Sequence, residues 1–278
     1  MKCFLKVKNC SYPILSANII HSYKFKSINY RQCNICGLQF QYPIKKVEIK
    51  KIYDQDYYNN YYTNKVKNNL YNERKLQYNL DKKIFLKYFV DKKNKSILDY
   101  GCGNGEFLIK FKSKKYGYEI NQNIEKMKKI EYLTFKQILK KKFDAIFLRG
   151  VIEHIPDFAI VIPRLINRLK KNGLFFISAT PNTKNVSFFL NKKSFKLNDK
   201  AHLYHFDYIN LSIFFLKNCL YNIHTSLEYW DTPYKKISYD YDIQKKLLKS
   251  FNKNKKSNEI SNPGVGNIMT LVYKKMLK

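Results

Sequence analysis

The stretch SILDYGCGNGEF, residues 96–107, decides the fold. A short apolar run is followed by Asp99, Gly101, Gly103 and Gly105 at alternate positions, and then by Glu106 and Phe107. An apolar run ending in a glycine-rich turn reads as a strand whose tip lets a ligand approach the backbone closely. The helix read over EFLIKFK (106–112) would offer unpaired N–H groups at its start. Three loop classes compete for this stretch. A phosphate-cradling loop ends in Gly-Lys-Ser or Gly-Lys-Thr, which is absent here. A dinucleotide loop needs glycine where Glu106 stands, and a carboxylate there repels a pyrophosphate. The pattern D-x-G-x-G-x-G fits at all four positions. Its acidic residues suit a ligand with a cationic sulfonium and an amino-acid tail but no phosphate.

Working outward, KYGYEI (115–120) reads as the second strand, with Glu119 at its end. A carboxylate there can accept hydrogen bonds from both ribose hydroxyls of an adenosine. The bland alternative for 101–105 is an ordinary tight turn; an acid at the next strand tip argues against it. Further strands are expected at 131–135, 143–150 and 173–179, with helices at 123–130 and 158–171. A helix at 207–219 and strands at about 222–230 and 267–275 complete the pattern. Strands alternating with helices imply a parallel sheet covered on both faces.

Upstream, Tyr71, Arg74, Tyr78, Asp81, Phe85 and Phe89 recur at steps of three and four, the spacing of an amphipathic helix. The chain divides into a cysteine-containing leader (1–50), a helical cap (51–92) and an α/β domain (93–278). The last carries an insertion at 183–206 and an irregular excursion at 235–262.

The 278 residues carry a formal net charge of +32, which points at first to nucleic acid. Of the basic residues, 48 are Lys and only 5 are Arg, whereas readers of phosphate and base edges favour the planar Arg fork. The excess is also spread along the chain rather than held in one arm. It reads as a solvated lysine surface, and nucleic acid is not the expected partner. An anionic small molecule would still be attracted. No apolar run reaches the length of a membrane span, and lysines interrupt the first ten residues. The expectation is a soluble, cytoplasmic protein.

At this point the sequence resembles class I S-adenosylmethionine-dependent methyltransferases, in particular the small-molecule branch with a Glu-His motif after the fourth strand. DYGCGNG (99–105), YEIN (118–121), FDAIFLRGVIEHIPD (143–157), LKKNGLFFISATPN (169–182) and HLYHFD (202–207) carry the resemblance. They come in the family's order and cover about 96–220. YRQCNICGLQFQYP (30–43) resembles the zinc-ribbon-like leader of many members. The resemblance implies a Rossmann-like sheet of seven strands, the last antiparallel, with helices on both faces. It also implies S-adenosylmethionine above the strand tips. Carried over by position, Asp99, Gly101 and Gly103 line the methionine part and Glu119 the ribose. Cys102, Gly105, Phe135 and Arg149 complete the cofactor-binding set. Two departures matter. The family's acid beside the adenine amino group is missing from TFKQIL (134–139), leaving backbone or Phe135 to do that work. In quinone-ring O-methyltransferases a metal is held by Glu-x-x-Glu-His; the matching positions here are Gly150, Glu153 and His154, so that magnesium site is not expected.

Methyl transfer to a hydroxyl needs alignment and removal of a proton. Candidates for that chemistry are Glu153 and His154 after the fourth strand and His202 and His205 in AHLYHFD. Each has a structural alternative: loop capping, packing or gating. Cys33-x-x-Cys36 has the spacing of a zinc knuckle, with Cys3 and Cys10 as candidate partners. Metal-free packing of the same cysteines stays open. The function expected is methyl transfer to a small-molecule oxygen of a sugar, glycan or lipid-linked intermediate. The alternatives are an RNA methyltransferase using the basic surface, and a non-catalytic adaptor built on a cofactor fold.

Overall fold

The structure is a computed structural model, and it describes residues 19–25, 28–33, 36–44, 69–184, 201–227, 245, 249 and 268–276, with 19–29 and 69–74 as backbone alone. Cys3, Cys10, the front of the cap (51–68), most of the insertion (185–200) and nearly all of the 235–262 excursion lie outside the described residues.

A seven-stranded sheet forms the centre. Its strands are β4 (Ser96–Tyr100), β5 (Lys114–Tyr118), β6 (Glu131–Tyr132), β7 (Phe143–Arg149), β8 (Leu169–Pro181), β10 (Leu220–Ser226) and β11 (Ile268–Lys275). The order is β10-β11-β8-β7-β4-β5-β6. The pairs β4–β5, β4–β7, β5–β6 and β7–β8 are parallel, while β11 runs antiparallel between β8 and β10. This is the sheet expected from the sequence, with its last strand antiparallel.

The central strands are apolar on both faces because both faces are covered. Side chains alternate across a strand, and the core divides accordingly. Ile97, Ala145, Phe147, Leu174 and Phe176 pack with Tyr78 and Phe85 of α1 (Asn69–Leu86). Leu98, Ile146, Leu148, Phe175 and Ile177 face the other way, towards α3 (Phe158–Ile166) and α4 (Tyr208–Lys217). Phe85 is fully buried, with its ring centroid 4.5 Å from Phe147 and 4.6 Å from Phe89. Tyr78 and Phe85 of the stripe read upstream of the sheet thus lie on the inner face of α1, and Phe89 packs just beyond its end.

Several elements differ from the sequence expectation. The stretch 106–112 forms one 3-10 turn, Leu108–Lys110, instead of a helix. Glu106 N donates to Asn104 Oδ1 at 3.1 Å, a local bond at the head of this turn. Residues 123–130 form no helix; Met127 N is held by Asn104 O at 3.2 Å. The helix expected over 158–171 ends at Ile166, and β8 begins at Leu169 rather than 173. Pro163 lies inside that helix, and Asp157 takes the N-cap position without a capping side-chain bond. The helix at the end of the insertion starts cleanly, because Asp207 caps Ile209 N and Asn210 N. The short α2 (Phe135–Ile138) is fixed by a Thr134–Gln137 capping box.

The leader contributes β1 (Ile19–Phe25), β2 (Ile28–Cys33) and β3 (Gln39–Gln41). They form an antiparallel sheet whose fourth strand, β9 (Tyr204–His205), comes from the insertion. Gln39 pairs with His205 and Phe40 with Tyr204. Among the described residues, no helix is long and apolar enough to cross a membrane.

Candidate active site

The glycine loop follows β4. Gly101 N and Cys102 N both donate to Tyr118 O, at 2.7 and 3.0 Å, which ties the loop to the tip of β5. Gly101 has φ +86°, and a Cβ there would stand 2.5 Å from Val151 Cγ2. Gly105 has φ +93°, and its Cβ would meet Ile130 Cδ1 at 2.2 Å. Both positions exclude a side chain by backbone conformation and by space. Gly103 N donates to Glu119 Oε2 at 2.9 Å, and Asn121 N donates to Oε1 at 3.1 Å. Glu119 therefore joins the loop to the second strand tip, and its carboxylate retains lone pairs for further donors.

Cys102 turns inward. Its thiol packs so closely on β5 that a Cβ on Gly117 would lie 2.7 Å from Sγ. Burial raises its pKa well above the usual value, so it stays a thiol. Phe135 is half-buried and lies edge-on to the stacked Tyr100–Tyr118 pair, at 6.3 and 6.4 Å.

Asp99 is 2% exposed, and its Oδ1 has no hydrogen-bond partner among the described residues. Burial pushes its pKa up to about 7; Arg149 opposes this, while Glu119 and Asp81 add to it. By strand alternation Asp99 shares the face of Ile97, the face that α1 covers. There Asp81, fully buried, accepts from Arg149 Nε at 2.7 Å, Ser178 Oγ at 3.2 Å and Gln77 Nε2 at 2.9 Å. The Arg149 guanidinium also lies over the Tyr78 ring, 4.4 Å from its centroid. A buried carboxylate with an unfilled acceptor beside a ribose-compatible Glu119 fits S-adenosylmethionine, whose amino-acid tail carries an ammonium donor. The residues present therefore fit the implied cofactor.

Beyond β7 a second cluster forms. Leu203 N donates to Glu153 O at 2.9 Å, stapling the insertion to the Glu-His turn. His154 Nδ1 lies 2.8 Å from Ala201 O. A carbonyl only accepts, so Nδ1 carries the proton and Nε2 presents its lone pair. The His154 and His202 rings are 4.7 Å apart, and Glu153 Oε1 is 3.8 Å from His154 Nε2. One donor atom each from Glu153, His154 and His202 lies within 4.8 Å of the others, a spacing a divalent cation could also use. Burial holds the His154 pKa well below the ordinary histidine value, with His202 adding to the effect. Glu153 is pushed up to about 8 by burial, against its hydrogen bond from Thr180. His205, fully enclosed, is lowered to about 3 and stacks on Tyr30 of the leader at 4.5 Å. Of the four candidates for proton chemistry, Glu153, His154 and His202 converge, and His205 packs behind them.

Cys33 and Cys36 are both partly buried, on a turn closed by Gly37 N to Cys33 O at 3.0 Å. Cys3 and Cys10 fall outside the described residues, so only half of the expected set is on view.

The sequence reading missed Gln77, Ser178 and Thr180 as site residues, and gave Asp81 only as part of the helical stripe. A carboxylate among apolar stripe positions was the available signal for Asp81. Nothing local marked the others, because long-range packing places them.

A family model described as a methyltransferase domain matches residues 71–217, more than half of the chain. A ubiquinone biosynthesis O-methyltransferase from Pelagibacter ubique is 34% identical over 106 residues. The match covers 33% of this chain and 44% of that protein, so the chain spans less than half the relative's length. Among solved structures, magnesium protoporphyrin IX methyltransferase from Synechocystis, with bound SAH, is similar with a TM-score of 0.56 at 13% identity. That match covers 84% of this chain and 100% of the other, and it speaks to the fold.

Proposed function

The chain belongs to the methyltransferase-domain family, and from that premise we propose that it transfers a methyl group from S-adenosylmethionine to a hydroxyl oxygen of a small-molecule acceptor. The observation that carries the reading is Asp99: a buried acceptor with an unfilled Oδ1, on the strand that leads into the glycine loop that Glu119 braces. When bound, the cofactor supplies an electrophilic methyl carbon on a sulfonium. The chain's own residues then have separate tasks. Asp99 receives the ammonium of the tail, Glu119 the ribose hydroxyls, and the backbone at Gly101 and Gly103 admits the ligand closely.

On the acceptor side, the His154–His202 pair removes the hydroxyl proton. His154 is anchored through Nδ1 to Ala201 and stays neutral. His202 is only half-buried, so it is the imidazole that reaches the acceptor and takes the proton. Glu153 holds the turn and, with its raised pKa, remains a neutral carboxyl near pH 7.

An oxygen acceptor is supported by the Pelagibacter relative, a ubiquinone biosynthesis O-methyltransferase, which sets an intermediate of that kind beside the sugar, glycan or lipid-linked hydroxyls read from the leader. The test is calorimetry with S-adenosylmethionine, followed by labelled-methyl transfer. The panel would hold 3,4-dihydroxybenzoate, nucleotide sugars, extracted lipids and total RNA. Binding with label entering a hydroxyl compound supports the reading. Absence of binding heat overturns it, and label confined to RNA replaces the acceptor class.

A further inference from the structure

We propose that Gln77, on the inner face of α1, is a cofactor-binding residue whose side-chain oxygen accepts a hydrogen bond from the cofactor's α-ammonium group beside Asp99. This deepens the cofactor-site reading above and rests on it. Gln77 is 4% exposed, and its Oε1 has no hydrogen-bond partner among the described residues. Its amide orientation is fixed by chemistry. Nε2 donates to Asp81 Oδ1 at 2.9 Å, and a carboxylate only accepts, so the oxygen points away from Asp81.

Asp81 also ties this amide to the site. Its other oxygen holds Arg149 and Ser178, at the tips of β7 and β8, and its charge acts on Asp99. Two buried acceptors, Gln77 Oε1 and Asp99 Oδ1, therefore stand unfilled around one carboxylate, on the face of the sheet that α1 covers. Buried acceptors ordinarily have donors. A ligand group donating to both oxygens must also tolerate carboxylates at Asp99, Asp81 and Glu119. A phosphate or carboxylate group fails on charge, and an apolar group has no donors. An ammonium offers three donors and one positive charge.

The test is calorimetry with S-adenosylhomocysteine and with 5′-methylthioadenosine, which keeps the nucleoside and thioether but lacks the amino-acid tail. Gln77→Leu is expected to weaken S-adenosylhomocysteine roughly tenfold, the scale of one hydrogen bond to a charged donor, and to leave methylthioadenosine unchanged. Equal affinities for both ligands in variant and wild type would overturn the proposal. Should the variant fail to fold, the wild type decides. The Gln77 side-chain amide signals in a nitrogen–proton NMR spectrum must move with S-adenosylhomocysteine and stay still with methylthioadenosine; movement with both, or with neither, overturns it. Asp99→Asn separates the two readings. If it leaves S-adenosylhomocysteine binding intact, the cofactor-site reading falls. If it abolishes binding while Gln77→Leu does not, only the present proposal falls.

Discussion

Arg149 Nε lies 2.7 Å from Asp81 Oδ2, and this pair joins the tip of β7 to the inner face of α1. Asp81 is fully buried and the Arg149 side chain is 13% exposed, so neither charge is solvated by bulk water. Removing one partner strands the other. Arg149→Met is therefore expected to destabilise the fold by about 3–5 kcal/mol, read from urea midpoints. Asp81→Leu combined with Arg149→Met should recover most of that loss, since no charge is then left unpaired. A double variant as unstable as the single one would show that the pair contributes net stability.

Asp99 gives a pH dependence with a definite sign. Its pKa is about 7 in the folded chain against an ordinary 3.8. A folded value above the unfolded one means the folded chain holds the proton more tightly, so this group's stabilisation is full below about pH 4. It is lost as pH rises through 7. The ligand-free protein should lose stability over that window, and Asp99→Asn should flatten the slope. Binding runs the other way, because the ammonium prefers the ionised carboxylate. Affinity for S-adenosylhomocysteine is expected to rise about tenfold per pH unit from 5 to 7, with proton release seen in buffers of different ionisation enthalpy. The ligand's own amino group stays protonated across that range. A flat profile in the wild type would remove Asp99 from the cofactor site.

Gly101 allows the steric and conformational costs to be separated. Gly101→Ala places a methyl 2.5 Å from Val151 Cγ2 while forcing alanine to φ +86°. Loss of S-adenosylhomocysteine binding and a lowered melting temperature are expected. Val151→Ala in the same chain removes the clash but not the backbone strain, so rescue should be partial, leaving on the order of 1–2 kcal/mol unrecovered. Full rescue would mean that only the contact mattered.

How much of this was legible in the sequence depended on range. Asp99, the loop glycines and Glu119 belong to local patterns, in which alternation and turn chemistry act over a few residues. The strands at 96–100 and 143–149 were visible because burial on both faces demands unbroken apolar runs. Two helices expected at 106–112 and 123–130 are absent; in the second, Met127 N is taken by Asn104 O, a partner 23 positions away that no local pattern reveals. The joining of β3 to β9 could not be read either. It brings Gln39 beside His205 across 166 positions, and no local period encodes such a pairing. Residues 201–205 gained their meaning only there, held by Glu153 and Ala201–His154 bonds on one side and the leader on the other.

The leader's grip bears on the last prediction. Tyr30 Oη and Gln41 Nε2 both donate to His202 O, at 3.0 and 3.1 Å, so the backbone at His202 is fixed while its ring meets His154. If His202 takes the acceptor proton, His202→Gln should lower the transfer rate by roughly 10²–10⁴ and leave S-adenosylhomocysteine affinity within about twofold. His154→Asn should slow transfer and also lower the melting temperature, because it breaks the anchor to Ala201. A chelator should change neither rate nor affinity, since an imidazole alone can remove the proton. Loss of activity with chelator, restored by added cobalt or zinc, would overturn that account. It would instead make Glu153, His154 and His202 ligands of a cation that lowers the pKa of the acceptor hydroxyl.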